Sequence, residues 1–365
     1  MVKILHAADF HLDSAFGALS EERARQRRQE CRQLVGRLVD YANDHGADLM
    51  LLCGDLFDGE RVYAQTTEEL AAALGRFHGG VIIAPGNHDP YTHRSPYAKG
   101  MWPENVHIFT QNTMEKLEFP QYGCTVYGAA FTAAEMAEPE EFTAQGDGVQ
   151  LLAIHGEVGR EGSRYRSLTP AWLERSGVDY AALGHVHEHR GVQYAGKTAY
   201  AYPGCPEGRG FDELGEKGFL FGTVEQGNVE MQFVPFARRR CEVLTVDVTD
   251  TDAAQAAADA LRGREEDICR LILSGEVDEP IDTAALAQRL SLFCWQLEVR
   301  DETRLRQDLW HGCGEDSLRG LFLANLREEY EKADPQEQHG SRRRRRRRAA
   351  SQEIRDGQKE DSASE

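Results

Sequence analysis

Metal-ligating side chains follow five short apolar runs in the first half of the chain. Each run is typical of a buried β-strand, and the residues directly after it are polar. The candidate ligands are Asp9, His11, Asp55, Asn87, His155, His185 and His187. In an open α/β sheet the carboxyl ends of the strands lie along one edge, so residues far apart in sequence can meet there. We therefore expect these seven side chains to gather in one crevice.

This set of donors combines carboxylates, one amide oxygen and imidazoles. Such a mixture suits Mn²⁺, Fe²⁺ or Zn²⁺, whereas an all-oxygen set would favour Mg²⁺ or Ca²⁺. Pairs two residues apart, Asp9 with His11 and His185 with His187, can point the same way where the backbone is extended. Two ions bridged by one carboxylate, about 3.5 to 4 Å apart, would use the ligands fully and could promote displacement at phosphorus.

The sequence also predicts the elements that position these residues. Short apolar runs alternate with helical patterns over the first 235 residues, as in layered α/β domains. Strands are predicted at 2–8, 47–53, 79–85, 148–154 and 178–183. Ser20 can cap a helix between the first two strands, and apolar residues recur after it at helical spacing. These are Cys31, Leu34, Val35, Leu38, Val39 and Ala42.

The pattern changes near Cys241, where a compact βαβαβ unit is predicted. Its strands are expected at 242–248, 268–275 and 294–300, and its helices at 252–263 and 282–292. Residues 303–332 have the leucine spacing of a helix, and no apolar pattern recurs after Pro335. We therefore predict four parts: a large α/β domain at 1–237, a small α+β domain at 238–302, a helical segment at 303–334 and a disordered charged tail at 335–365.

The chain is acidic, with 42 Lys or Arg and 61 Asp or Glu residues and a formal net charge of −19. Residues 341–365 hold nine basic and five acidic residues, so 1–340 carry 33 against 56. This balance argues against a protein whose main task is to coat nucleic acid, because that affinity comes largely from Lys and Arg. Local basic patches and metal-assisted catalysis remain compatible with it.

The eight cysteines are scattered without a Cys-x-x-Cys pair, and several lie in apolar segments. We expect reduced, mostly buried thiols rather than metal ligands. The N-terminus lacks a basic region followed by an uninterrupted apolar stretch, and no later run approaches the roughly 20 residues that span a bilayer. We expect a cytoplasmic protein that does not enter a membrane.

Taken in order, the five motifs resemble those of the calcineurin-like metallophosphoesterases. They read DFH at 9–11, GD at 54–55, GNHD at 86–89, IHG at 154–156 and GHVH at 184–187. The resemblance implies an α/β fold, a four-layer sandwich of two mixed β-sheets flanked by helices. It also implies two divalent ions, with Mn²⁺ favoured and Fe²⁺ or Zn²⁺ as alternatives, and hydrolysis of phosphoesters.

The resemblance further implies which side chains hold each ion. The first ion would be held by Asp9, His11, Asp55 and His187. The second would be held by Asp55, Asn87, His155 and His185. Asp55 is the implied bridge between them.

Two residues of the GNHD motif have implied roles in the chemistry itself. His88 would bind a phosphate oxygen and protonate the leaving group. Asp89 would orient His88 through its other ring nitrogen.

The flanking residues look most like the SbcD-type DNA-repair exonucleases, in particular their YhaO-like branch. The matching stretches include GDLFD, GNHDPY, ALGHVH and GRGFDELGEKG, and the resemblance covers roughly residues 1–300. It implies a DNA exonuclease with endonuclease capability, a C-terminal domain that caps the active site, a homodimer and an SbcC-like coiled-coil ATPase partner. Residues 303–332 could dock that partner or pack against the body.

Arginine-rich stretches are further candidates for substrate contacts. At 23–32, RARQRRQECR places several arginines, including Arg27 and Arg28, on the solvent side of the first helix, where they could hold phosphates or pair with glutamates. Arg209 could reach substrate from its glycine-rich loop, or the loop could be structural. Seven arginines at 342–348 favour a nonspecific electrostatic tail, which could also contact acidic surfaces or have no selected role.

Two other functions remain open at this point. The metal site alone does not specify the leaving group, so the chain could be a phosphodiesterase or phosphatase acting on small nucleotides. It could also be a non-catalytic DNA-end-binding subunit with a vestigial metal site.

Overall fold

The computed structural model describes residues 1–160, 162–306 and 313–332. The tail predicted for 335–365 therefore lies outside the described residues. The chain divides into two compact units. The first comprises Met1–Gly275 and Ile281–Thr303, and the second comprises Glu276–Pro280 and the chain from Arg304.

The described part of the chain contains 19 strands and seven α-helices. The strands are β1 Val2–Ala7, β2 Leu49–Leu52, β3 Gly80–Ile83, β4 Val106–Ile108, β5 Glu115–Phe119, β6 Cys124–Ala129, β7 Val149–His155, β8 Glu157–Val158, β9 Ser167–Leu168, β10 Tyr180–Gly184, β11 Gln193–Ala195, β12 Thr198–Ala201, β13 Gly218–Glu225, β14 Asn228–Pro235, β15 Cys241–Asp247, β16 Arg264–Ser274, β17 Glu276–Val277, β18 Cys294–Asp301 and β19 Arg304–Leu305. The helices are α1 Glu21–Asp44, α2 Ala64–Leu74, α3 Pro96–Lys99, α4 Pro170–Ser176, α5 Ala253–Ala260, α6 Thr283–Arg289 and α7 Leu318–Lys332, with a 3-10 turn at Pro120–Tyr122.

Two mixed six-stranded sheets form the main body of the first unit. The first sheet has the order β14-β13-β1-β2-β3-β4, in which β1 to β4 run parallel and β13 pairs antiparallel with both β1 and β14. The second has the order β11-β12-β10-β7-β6-β5, with a parallel centre and antiparallel edge strands. The predicted strands at 2–8, 47–53, 79–85, 148–154 and 178–183 are the central strands of these sheets.

Alternation along the strands creates the four predicted layers. Ile4 and Leu51 of the first sheet pack with Leu151 and Ala182 of the second in one buried cluster. The next residue along each strand faces the other way, because successive side chains of a strand point to opposite faces. Those residues pack with α1 and α2 on the first sheet and with α4 on the second. The four-layer sandwich is confirmed.

The first helix covers the outer face of the first sheet as its spacing predicts. The Ser20 hydroxyl accepts a hydrogen bond from the backbone N–H of Arg23 and caps the helix. All six predicted apolar positions are buried, and Leu34 and Leu38 pack with strand residues such as Leu5.

A small parallel sheet follows, in the order β15-β16-β18. Helices α5 and α6 connect its strands, and each is capped by an aspartate side chain, Asp252 and Asp282. The five elements fall within a few residues of the predicted ones. They belong to the same compact unit as the two large sheets.

A buried arginine–glutamate network joins this small sheet to α1. Arg27 donates to Glu30 at 3.0 Å and to Glu207 at 2.8 Å, and Arg239 donates to both carboxylate oxygens of Glu30 at 3.0 and 2.7 Å. Arg239 also donates to Glu266 of β16 at 3.0 Å. The side chain of Arg27 is fully buried. Of the two roles left open for Arg27, pairing with glutamates agrees with the structure, whereas phosphate contact from the solvent side of the helix does not, because the side chain is buried against Glu30 and Glu207.

The second unit departs from the predicted helix at 303–332. Residues 304–305 form strand β19, which pairs in parallel with β17, and helix α7 begins only at Leu318. Residues 307–312 lie outside the description. Leu318, Leu321 and Phe322 of α7 are exposed.

Two further expectations concern cysteines and membranes. All eight cysteines lie within the described residues and are free, and only Cys313 is not fully buried, so the expectation of reduced, mostly buried thiols agrees with the structure. Within 1–160, 162–306 and 313–332, the helices are too short or too polar to cross a bilayer.

Candidate metal centre

The seven predicted ligands converge at the carboxyl edge of the two sheets. Asp9 and His11 follow β1, Asp55 follows β2 and Asn87 follows β3, while His155 ends β7 and His185 and His187 follow β10. Asp9, His11, Asp55 and His155 are almost completely buried. The strand order thus brings together residues separated by up to 178 positions in the chain.

Four of these residues have a strained backbone. Asp9, His11, Asp55 and His185 have φ values of 57, 45, 51 and 109°. Non-glycine residues occupy this left-handed region rarely, and they persist there only when the surrounding structure holds them. The clustering of such residues at one sheet edge is typical of a functional site.

Glycines let the loops that carry the ligands approach each other closely. A Cβ atom at Gly86 would overlap the carboxylate of Asp55, and one at Gly54 would overlap the ring of His155. Gly54 also has a φ of 87°, which glycine adopts at little cost. The glycines of the GD and GNHD motifs are therefore required by contact with the ligands.

Asp55 lies between two groups of ligands. Its Oδ2 atom is 3.7 Å from Nε2 of His11 and 3.5 Å from Nε2 of His155. On one side, Nε2 of His11 is 3.2 Å from Nε2 of His187, and His187 is 3.8 Å from the Asp9 carboxylate. This is the arrangement expected of a carboxylate shared by two adjacent sites.

The other side of Asp55 holds the remaining three ligands. The side-chain oxygen of Asn87 lies 2.9 Å from Nε2 of His155 and 3.2 Å from Nδ1 of His185. Ligand atoms of Asp9, His11 and His187, and those of Asp9, Asp55 and His155, each fall within 4.8 Å of one another. The structure thus brings all seven predicted ligands together.

The histidine orientations fit metal binding. Nδ1–H of His155 donates to the carbonyl oxygen of Cys53 at 2.9 Å, which leaves Nε2 as a lone-pair donor facing the cluster. Nδ1–H of His11 donates to Asp58 at 3.0 Å, and Nδ1–H of His187 donates to Glu213 at 2.6 Å. Carboxylates and carbonyls behind histidine rings commonly fix such tautomers at metal centres.

The electrostatics of the cluster favour a bound cation. Burial raises the pKa of Asp9 well above its usual range, and the charge of Asp55 adds to the rise, although His187 opposes it. Burial lowers the pKa of His155 to about 4, so its ring is neutral near pH 7. Buried carboxylates beside neutral imidazoles form a donor set that divalent ions such as Mn²⁺, Fe²⁺ or Zn²⁺ complement.

His88 is exposed in front of the buried ligands. Its backbone N–H donates to Oδ1 of Asp55 at 2.9 Å, and its ring packs edge-on against His11 with centroids 4.8 Å apart. The imidazole is thus fixed beside the cluster yet accessible to a bound molecule.

The structure does not support the expected contact between Asp89 and His88. The Asp89 carboxylate is buried and accepts from the backbone N–H groups of Gly86, Asp55 and Phe57 at 2.8 to 3.2 Å. It also accepts from the Tyr97 hydroxyl at 2.5 Å. Backbone donors occupy this carboxylate because the two loops cross at this point. Asp89 therefore clamps the GD loop to the GNHD loop.

Arg209 lies behind the ligands, with its donors directed at carboxylates. It donates to Asp58 at 3.1 Å and to Glu213 at 2.9 Å. Arg28 is half-buried on α1 and donates to the carbonyl of Ala15 at 3.1 Å. Sequence reasoning missed Asp58 and Glu213, although both occur in motifs it used, GDLFD and GRGFDELGEKG.

Comparisons with known proteins agree with this site. The calcineurin-like phosphoesterase family profile matches residues 2–189, which include all seven ligands and His88. Over 367 aligned positions the chain is 30% identical to the uncharacterized metallophosphoesterase YhaO of Bacillus subtilis, covering 90% of this chain and 87% of that protein. Over 272 positions it is 26% identical to the DNA double-strand break repair protein Mre11 of Aeropyrum pernix, covering 68% and 64%. The chain belongs to the calcineurin-like metallophosphoesterases, and its similarities agree with the YhaO-like branch of that family.

Proposed function

We propose that the chain is a metal-dependent DNA exonuclease with endonuclease capability that acts in DNA repair. The observation that carries the proposal is the convergence of seven ligands at one sheet edge, with His88 exposed in front of them. Similarity to a protein named for double-strand break repair supports DNA as the substrate. The YhaO relative agrees with the enzyme class and leaves the substrate open.

In this proposal the seven ligands would hold two divalent ions, preferably Mn²⁺, and both sets would share Asp55. One ion is held by Asp9, His11, Asp55 and His187. The other is held by Asp55, Asn87, His155 and His185. Such ions make water nucleophilic near neutral pH and neutralise charge on phosphate oxygens.

His88 acts as the general acid of the proposed reaction. Its accessible ring can hold a proton and deliver it to the oxygen of the departing strand, while Asp55 and His11 fix its position. A positioned acid of this kind contributes about 10² to 10⁴ in rate. Asp89 contributes indirectly in this scheme, because it holds the loop that carries Asn87 and His88.

The test is hydrolysis of end-labelled linear duplex DNA in Mn²⁺, in Mg²⁺ and in chelator. His88→Ala should lose about 10²-fold or more in rate while it still binds Mn²⁺. His78→Ala is the matched control, because His78 is an exposed histidine that precedes β3, whereas His88 follows that strand. Full activity of His88→Ala would refute the assigned acid.

A small-nucleotide phosphodiesterase is the second candidate, since the ligand cluster itself does not select the leaving group. Turnover of cyclic nucleotides by the wild type, together with inertness toward DNA, would favour it. If Asp55→Asn matched the wild type in a repair assay, a non-catalytic DNA-end-binding role would replace both enzymatic proposals.

The proposed partner is an SbcC-like coiled-coil ATPase, with the chain acting as a homodimer. The apolar side chains of α7, exposed by 90, 63 and 61% at Leu318, Leu321 and Phe322, support residues 303–334 as the docking element. Deleting 303–365 should abolish co-purification of that ATPase, whereas deleting only 335–365 should not. An unchanged complex after the longer deletion would refute docking at this segment.

A further inference from the structure

We propose that Arg209 is a positioning residue that joins the carboxylates behind two metal-binding histidines and thereby fixes one of the two ion sites. The inference rests on the metal centre of the proposed function. It assigns to Arg209 a role different from the substrate contact that its sequence position suggests. Four charged or ionisable side chains around it carry the argument.

These side chains form a continuous chain of hydrogen bonds from one ligand to another. Nδ1–H of His11 donates to Asp58 at 3.0 Å, and Nη1 of Arg209 donates to the same Asp58 oxygen at 3.1 Å. Nη2 of Arg209 donates to Oε1 of Glu213 at 2.9 Å, and Nδ1–H of His187 donates to that oxygen at 2.6 Å. His11 and His187 belong to the same proposed ion site, so one guanidinium connects both ligands.

The donors of Arg209 are committed to this bridge. Its Nε also faces Glu213, at 3.3 Å, and its backbone N–H donates to the second oxygen of Glu213 at 2.8 Å. The side chain of Arg209 is 25% exposed and that of Glu213 only 5% exposed. An arginine that bound DNA phosphates would present free donors to solvent, whereas the donors of Arg209 are hydrogen-bonded to two carboxylates.

The backbone that carries Arg209 is itself anchored. Glu207, two residues earlier, accepts from the buried Arg27 at 2.8 Å and from the backbone N–H groups of Arg238 and Arg239 at 2.7 and 3.1 Å. Arg27 also donates to the carbonyl of Gly208 at 3.0 Å. The guanidinium of Arg209 therefore projects from a fixed point, as a positioning role requires.

Removing Arg209 would have two effects of opposite sign on cation affinity. Loss of a positive charge strengthens attraction between the cluster and a cation. Loss of the bridge frees Asp58 and Glu213 to move, and removing such supporting partners typically lowers metal affinity about 10- to 100-fold. Lysine separates the two effects, because it keeps the charge but lacks the planar fork that reaches two carboxylates.

The test is a calorimetric titration of the full-length protein with Mn²⁺ in the absence of DNA. In Arg209→Ala we expect one of two binding events to weaken about 10- to 100-fold, with the other changed less than about twofold. Arg209→Lys should weaken the same event. Arg76→Ala is the matched control, because Arg76 pairs with Asp40 on the surface, and it should bind both ions as the wild type does.

Two outcomes would overturn the proposal while leaving the metal centre intact. Tighter Mn²⁺ binding by Arg209→Ala, with wild-type binding by Arg209→Lys, would show that Arg209 acts only through its charge, and unchanged binding by both variants would show that it does not support the site. Equal weakening of both events would show general damage to the loop. Failure of the wild type to bind any Mn²⁺ would instead refute the metal centre and the proposed function together.

Discussion

Replacing Arg27 by alanine should cost far more stability than the same change two residues earlier. The guanidinium of Arg27 is fully buried and donates to Glu30, Glu207 and the carbonyl of Gly208 at 2.8 to 3.0 Å. Removing one partner from a buried ionic network leaves uncompensated charge and costs about 3 to 5 kcal/mol. Arg25 instead pairs with Glu21 on the surface, where an i,i+4 pair contributes about 0.3 to 0.5 kcal/mol.

The pKa of Glu30 supports a large contribution of this network to the stability of the folded state. Burial alone would raise it, but hydrogen bonds from Arg239 and Arg27 outweigh burial and lower the pKa from 4.5 to about 2. A difference of that size corresponds to about 3 kcal/mol of interaction with the ionised carboxylate. The glutamate side chain is only 4% exposed, so solvent screening is weak.

Urea unfolding at pH 7, followed by circular dichroism, tests this comparison. Both variants remove an arginine from α1, so the change in helix propensity cancels. We expect the free energy of unfolding to fall by at least about 2 kcal/mol more for Arg27→Ala than for Arg25→Ala. Equal losses would refute the reasoning and would mean that the network contributes little to the folded state.

Two further predictions concern other buried carboxylates. Asp89→Asn should lower the free energy of unfolding by about 1 to 3 kcal/mol and weaken Mn²⁺ binding, because an amide N–H would face a backbone donor. Tyr97→Phe removes only one donor to Asp89. It should therefore lower the free energy of unfolding by only about 1 kcal/mol, measured by thermal or urea unfolding. The contribution of Glu30 should be complete above pH 4.5 and be lost as the pH falls toward 2, because its pKa is lower in the folded than in the unfolded chain. Acid unfolding of Glu30→Gln should lack this component, and an identical acid transition in the variant would contradict it.

The sequence was a good guide to residues that follow strands. Asp9, Asp55 and His155 sit at strand ends marked by apolar runs, and parallel strand order then places them at one edge. Helix α1 was equally predictable, because its buried positions repeat every three or four residues.

The contacts of two charged residues, Arg27 and Asp89, were not predictable in this way. Arg27 lies in a row of arginines that reads as a solvated face, yet Glu207, 180 positions away, draws it into the interior. For Asp89, the family resemblance implied a contact with His88, whereas the backbone N–H groups of Gly86, Asp55 and Phe57 take its carboxylate instead. In both cases the position of the side chain is set by contacts with residues distant in sequence. Local sequence patterns carry no information about such contacts.

The left-handed backbone at Asp9 and Asp55 has a consequence for inactive forms of this enzyme. Asparagine occupies that region more readily than alanine or branched residues. Asp→Asn replacements at these two positions therefore remove a ligand charge and keep the backbone conformation of the loop. They should make better inactive variants than Asp→Ala replacements. The same reasoning applies over evolutionary time. A descendant that abandoned hydrolysis but kept the fold would be expected to drift toward asparagine or glycine here, and those substitutions would mark the loss.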